Sequence, residues 1–328
     1  QNAPDHVALQ KRRFAAHRIT QHNRIFLCGC IPLHQLNRLL LQSVDKKTVY
    51  AFDTATRQVR EIYRSTASFE MYEADEGFVA VDGKGVRYLD YRGTVERIYT
   101  PPEEYRNVAT YMDGYIHILK SYRQYIGPRG GDAGGRSART AEDEDPNYRT
   151  YRYLSRPECK YISPDASTGY RGRGYAYEGT PMSGAILALR RTENTIVVNT
   201  SHGAYLHDKR FHQPCKMLQF AAGEQIVTVS DNYIGINADD MLWFYRRASI
   251  TERTLLRRLG RWADHADHTM SEVVHSYDDG IFIRNFRDDT TTDGRNAAGW
   301  GENIMGLFFV CGDLYIVRER AIYKYIPE

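Results

Sequence analysis

Short bursts of alternating apolar residues, each ended by a polar or glycine-containing turn, recur along this 328-residue chain at a nearly fixed interval. The clearest unit runs from Phe69 to Tyr99. Within it Phe69 and Met71 mark one strand, Phe78 to Val81 a second, Val86 to Tyr91 a third and Val95 to Tyr99 a fourth. A period of two in segments this short specifies half-buried strands, not helices. Four antiparallel strands in about thirty residues make one small meander. The turn Glu76-Gly77 before Phe78 is matched by Asp113-Gly114 before Tyr115, a step of 37 residues. Glu193-Asn194 before Thr195 is matched by Asp231-Asn232 before Tyr233, a step of 38. Nearly equal steps of this length on four-stranded units indicate a repeat architecture.

Seven units can be placed on the chain. The first holds Ile25 to Leu33, a stretch from Leu36 to Val44 that reads as helical turn or strand, and a hairpin of Thr48 to Asp53 with Val59 to Tyr63. The third holds Asn107 to Tyr111, Tyr115 to Leu119 and Tyr122 to Ile126. The fourth comprises Ala185 to Leu189, Thr195 to Asn199, Ala204 to His207 and Lys216 to Phe220. Ile226 to Val229, Tyr233 to Ile236, Met241 to Tyr245 and Arg253 to Leu259 make the fifth. The sixth has Glu272 to His275 and Ile281 to Phe286, with a polar loop where outer strands belong. The seventh, Ile304 to Val310, Leu314 to Val317 and Ala321 to Ile326, is one strand short. Residues 8 to 14 or 15 to 19 are expected to supply the missing strand, because closing a ring this way removes exposed edges.

On these strands and turns the chain resembles the broad β-propeller superfamily, WD40-like in architecture, over nearly its whole length. No Trp-Asp dipeptide ends a unit, and neither kelch-type Gly-Gly pairs nor Asp-box motifs recur among the blades, so no specific family is indicated. The expected fold is all-β, a single propeller over residues 1–328 with seven blades. Six or eight blades stay open, since residues 127 to 185 hide one blade or none, and two sandwich domains are the alternative. Residues 127–181 read as an insertion. Its first part, 127–147, combines glycine, arginine and a run of acids, buries too little apolar surface to offset ordering entropy and is expected to be disordered. The alternating YRTYRYLSRP that follows completes the third blade or decorates its rim.

Composition constrains the partners weakly. Forty-four basic and 41 acidic residues leave a net charge of +3, and the 25 tyrosines against 12 phenylalanines suit half-buried strands and interfaces. Five cysteines, at 28, 30, 159, 215 and 311, form no disulfide framework, and their odd number favours a reducing, intracellular compartment. No apolar run reaches the roughly 18 residues of a membrane helix, so no membrane insertion is expected. The single sequon at Asn199 is a chance match.

Each chemical candidate competes with a plainer reading. Asp264, His265, Asp267 and His268 carry metal-ligand chemistry, but adjacent loop residues seldom converge, and a solvated loop is expected. His202, His207 and His212 alternate faces if they lie on strands. Cys215 near His212 lacks a third group for nucleophilic catalysis. Cys28, Cys30 and Cys311 could approach one another after ring closure, yet buried thiols usually fill cores. Gly83 and Gly85 belong to a hairpin turn, whereas Gly172 and Gly174 sit in an Arg-Gly-Tyr element able to meet bases or protein. Asp288, Asp289, Asp293 and Glu302 offer carboxylates of the kind glycosidic chemistry pairs, but loop acids at this density usually face water and no second cluster from another blade matches them. No catalytic residue, metal site or cofactor is therefore expected.

The favoured function is a non-catalytic scaffold that binds other protein subunits of a larger assembly. Tyr151, Tyr153, Arg171, Arg173, Tyr175 and Tyr177 are the first expected anchors, with Trp243, Tyr245, Arg246 and Arg247 on blade five as a second surface, because interface energy concentrates in such residues. RNA contact within a ribonucleoprotein is one alternative. A propeller hydrolase or lyase is another, and it would require carboxylates or histidines from separate blades converging at one mouth beneath a pocket.

Overall fold

The computed structural model describes residues 14–21, 26–100, 108–125, 148–156, 160–161, 177–178, 182, 186–201, 203–208, 216–219, 224–248, 252–278, 280–286, 291–293 and 303–327. These form seven antiparallel sheets, the blades of a β-propeller. Blade one is Leu27–Leu33, Arg38–Ser43, Thr48–Asp53 and Val59–Arg64. The ambiguous stretch after Leu33 is one 3-10 turn, His34–Leu36, followed by a strand. Asn37 ends the turn in the left-handed conformation at φ 53°, which its short polar side chain tolerates. Blade two is Glu70–Glu73, Gly77–Asp82, Gly85–Asp90 and Val95–Tyr99, and Lys160–Tyr161 pairs along its outer edge.

Blade three departs from the expected pattern. Tyr115–Tyr125 is one strand of 11 residues, not two, and it pairs with Tyr148–Arg156 from Ile118 opposite Ser155 to Tyr125 opposite Tyr148. Tyr148–Arg156 is thus the blade's third strand, and Tyr177–Glu178 follows as its fourth. Residues 127–147, expected to be disordered, lie outside the described residues. Blades four and five match expectation closely, with inner strands Ile186–Arg191 and Gln225–Val229 and an outer strand Arg253–Leu259 on blade five. Blade six is shifted by one strand. Its innermost strand is His265–His268, which the sequence suggested was loop, so Glu272–Tyr277 is second, Gly280–Asn285 third and Thr291–Asp293 fourth. In blade seven, Ile304–Val310, Asp313–Arg318 and Ala321–Pro327 are joined by Phe14–Gln21, which pairs antiparallel with the last of them.

The core explains why the second strand of most blades is buried along nearly its whole length. Both faces of that strand are covered, one by each neighbouring blade. Leu40 packs toward blade two with Phe78 and Leu89, while Leu39 and Leu41 pack toward blade seven with Tyr315 and Val317. Val79 faces Ile116 of blade three, and Ile196 and Val198 face Met112 and Leu154 across the next junction. Val197 meets Ile234, Phe244 meets Val273, and Val274 meets Leu307 and Ile316. Seven clusters therefore fill seven junctions. Close approach between blades also constrains single turns: at Gly93, φ 86°, an added Cβ would lie 1.9 Å from the Ile62 carbonyl oxygen of blade one.

Phe52 is fully buried at the junction that closes the ring and meets Tyr315 edge to face, with centroids 6.1 Å apart. Truncating it removes transfer energy and leaves a cavity between the first and last blades. Phe52→Ala is expected to destabilise the protein by about 3–5 kcal/mol in urea unfolding, against under about 1 kcal/mol for Leu255→Ala on the exposed outer strand. Equal losses at the two positions would contradict this packing.

Candidate binding site

The turns between first and second strands converge at one end of the propeller, where every blade lines a single cavity of about 910 Å³. In blades four, five and six these turns are built alike. Thr192 Oγ1 accepts from the Asn194 and Thr195 amides, Ser230 Oγ from those of Asn232 and Tyr233, and Thr269 Oγ1 from those of Ser271 and Glu272. Each turn also closes with one backbone bond of 2.8 Å, Thr192 N to Thr195 O and its two counterparts. A Ser or Thr two residues before Asn or Ser is the sequence signal for this turn. It repeats at steps of 38 and 39 residues, and reading it would have located the inner strand of blade six.

Polar bonds then tie each turn to the next blade. Asp231 of blade five accepts from Thr192 Oγ1 and, at 2.5 Å, from Asn194 Nδ2 of blade four. Asp75 of blade two accepts from the Asp113 amide of blade three at 2.6 Å and forms an ion pair of 2.6 Å with Arg191 of blade four. Asp267 of blade six accepts from the Phe309 amide of blade seven at 2.7 Å and from its neighbour His268 N at 2.8 Å. The Phe309 carbonyl in turn lies 2.6 Å from His34 Nδ1 of blade one. Both ring nitrogens of His268 are engaged, Nδ1 with Thr228 Oγ1 at 3.0 Å and Nε2 with Ser230 Oγ at 2.7 Å.

Burial sets the protonation of this clasp. It pushes the Asp267 carboxyl well above the ordinary carboxylate range, an effect opposed by His34 and by the two amides it accepts from. Burial pushes His268 down to about 4, with His34 adding to the shift, so the imidazole is neutral at pH 7. A neutral ring suits its two partners, since one nitrogen donates to a hydroxyl and the other accepts from one. In the clasp, Asp267 and His268 both have displaced equilibria and both hydrogen-bond to a neighbouring blade.

The rest of the mouth is acidic. Among the described residues, Glu73, Asp75, Glu76, Glu96, Asp113, Glu193, Asp231 and Asp267 line the cavity against two guanidiniums, Arg190 and Arg191. This excess stands out in a chain whose net charge is +3. Among the described residues no group of three His, Cys, Asp or Glu is placed to hold a metal.

The anchors expected from sequence lie elsewhere. Tyr151 and Tyr153 stand on the third strand of blade three, opposite Tyr122 and Lys120, and Tyr177 stands opposite Arg156. Arg171, Arg173 and Tyr175 lie outside the described residues, as do His202, His212, Cys159, Cys215, Gly172, Gly174, Asp288, Asp289 and Glu302. On blade five, Trp243 Nε1 donates to the Ala238 carbonyl and Arg258 stacks on its ring at 4.4 Å. Tyr245 is half-buried under Arg253 at 4.7 Å, and Arg246 is exposed. Arg247 is buried, and its Nη1 donates to the Ser230 carbonyl at 2.6 Å, so it braces the turn from inside. His207 is buried on blade four, and Asn199 is 2% exposed. The three described cysteines are free and do not converge, because Cys28 donates to Ser43 O, Cys30 to Met305 O and Cys311 to His34 O.

Comparison with solved structures places the chain among β-propellers. It is similar to the β-propeller domain of Myceliophteria thermophila Cps50 (Swd1), with 12% identity, a TM-score of 0.60 and coverage of 94% of this chain and 99% of that one. The Pan2 WD40 domain of Neurospora crassa gives 9% identity and a TM-score of 0.58, covering 97% and 96%. The computationally designed Ika8 protein gives 11% and 0.56, covering 95% and 98%. No family model and no curated protein sequence matches the chain. Identities this low establish the fold alone.

Three buried histidines, His207, His268 and His275, have equilibria pushed down to about 4 by burial. In the unfolded chain each titrates near about 6.5. A depressed folded value means the unfolded state binds more protons, so their contribution is complete above about 6.5 and is lost as pH falls toward 4. The raised Asp267 acts in the opposite sense. With His265, which burial also lowers, four histidines outweigh one carboxyl, so unfolding near pH 5 takes up protons on balance and urea midpoints should fall steadily from pH 7 to pH 5. A flat profile over that range would show that these rings are not buried and neutral.

Proposed function

We propose that this propeller is a non-catalytic binding subunit of a larger assembly, holding a protein partner against its acidic mouth. The observation that carries the reading is the mouth itself, where all seven blades contribute to one cavity with eight carboxylates and two guanidiniums. A concave surface of one sign focuses its field and attracts a segment of the other, while repelling the phosphates of a nucleic acid. Carboxylates and histidines from separate blades do meet there, as a hydrolase or lyase would need. Yet Asp75, Asp231 and Asp267 each have both oxygens engaged, and so does each ring nitrogen of His268. Groups already saturated in joining blades are poorly placed to exchange protons with a substrate.

One observation favours RNA as a second reading. The outer edge of blade five carries Arg253, Arg257 and Arg258 on one strand, beside Trp243 and Tyr245. The tyrosines of blade three and Trp243 stand as contacts for further subunits in the scaffold reading. Free thiols at Cys28, Cys30 and Cys311 support a reducing, intracellular setting.

The readings separate in a pull-down of the tagged full chain followed by cross-linking. A stoichiometric protein partner that survives nuclease and moderate salt, with cross-links at Glu73 and Glu193, is expected. Association lost on nuclease treatment would replace this reading with RNA contact.

A further inference from the structure

Where blades two and three meet, the cleft of the mouth has a particular composition. Tyr88 and Tyr111 line it, stacked with centroids 3.6 Å apart and planes 8° from parallel. Tyr88 is 4% exposed and reaches the cavity, and its hydroxyl makes no hydrogen bond among the described residues. The ring is buried while the hydroxyl opens onto the cavity without a protein partner, which leaves it available to a ligand's donor. Carboxylates crowd the same phenol: after burial and Tyr111, the groups that raise its equilibrium are Glu96, Asp75 and Glu76. Asp75 is saturated by the Asp113 amide and Arg191. The carboxylates of Glu76, Glu96 and Asp113 have no side-chain partner among the described residues.

The geometry points to this cleft as a receptor for an arginine side chain projecting from a basic segment of a protein partner, an assignment that rests on the partner docking at the mouth. Four acceptors are unengaged there: the Tyr88 hydroxyl and three carboxylates. A guanidinium supplies five donors in a planar fork and is more weakly hydrated than an ammonium, so it meets several separated acceptors at lower desolvation cost. The mouth already shows the pairing once, in Arg191 against Asp75 at 2.6 Å. The Arg97 guanidinium likewise lies 6.0 Å from the Tyr111 ring centre. A cavity of about 910 Å³ has room for the backbone that carries the side chain as well as for the side chain itself.

The test uses calorimetric titration of the full chain with a heptapeptide bearing one arginine among glycines and serines. Matched peptides with lysine or citrulline serve as comparisons. The arginine peptide should bind at least about tenfold tighter than the neutral citrulline peptide, and more tightly than the lysine one. Tyr88→Phe, which keeps the stacked ring and removes only the hydroxyl, should weaken arginine binding several-fold without moving the melting midpoint. Glu76→Gln combined with Asp113→Asn, both exposed turn positions, should weaken it about tenfold or more and flatten its salt dependence. Equal binding of arginine and citrulline peptides overturns the assignment, as does wild-type affinity in both variants. A protein partner that cross-links at the mouth yet binds these variants normally would also overturn it, while leaving the scaffold reading intact.

Discussion

A four-stranded sheet has two faces, and in this molecule a neighbouring blade covers each of them. That constraint shapes everything else. It requires the second strand of each blade to be apolar on successive residues, as in Leu39 to Leu41 and Ile196 to Val198, each set divided between two junctions. It also means that no blade is complete alone, since its core is half supplied by the next. Stability is therefore a property of the closed ring, and Phe52 against Tyr315 marks where first and last blades meet.

Within that ring, packing fixes the blades side to side while polar bonds fix their rotation at the mouth. The sequence separations of these bonds reveal their role. Thr110 to Glu73, Thr192 to Asp231, His268 to Ser230 and Phe309 to Asp267 span 37, 39, 38 and 42 residues, each close to one repeat. Groups at nearly equivalent places in adjacent repeats, side chain or backbone, thus bond each other, and the repeat length becomes a spatial neighbour relation. The same logic explains the displaced equilibria of Asp267 and His268. They sit where two blades exclude water from a polar contact, and burial there acts on protonation more strongly than any nearby charge.

How much of this was legible depended on whether a strand announces itself by apolar alternation. Gly77–Asp82, Gly85–Asp90 and Arg253–Leu259 did, and their bounds were read to within a residue or so. His265–His268 did not, because a strand facing a polar channel mouth carries His and Asp where alternation predicts Val or Ile. Its partner Val273 and Val274 kept the apolar signal, and the blade was counted from there, one strand late. The extension of blade three was obscured for a related reason. Lys120 to Tyr125 and Tyr148 to Tyr153 satisfy each other through backbone pairing, which polar residues perform as well as apolar ones. The mouth was the least legible part. Its acids come from turns and strands of several blades, and one-dimensional spacing gave no sign that Glu76, Glu96 and Asp113 share a cavity with Tyr88.

That difference bears on where such a molecule binds. Strand surfaces are more committed than turns: alternate residues belong to junctions, and on blade five the aromatics Trp243 and Tyr245 each carry one of the chain's own arginines, Arg258 and Arg253, on the ring. Turn residues at the mouth are held by the clasp but not consumed by it. The division is sharpest in the pair Asp75 and Glu76. The first carboxylate is saturated and fixes blades two, three and four relative to one another, while the second, at φ 29° on the same turn, lines the cavity exposed and without a side-chain partner among the described residues. Rigid placement of an unengaged charge lowers the conformational cost of recognising its opposite. The residues that hold the ring together thereby position, one residue along, the residues free to meet a partner.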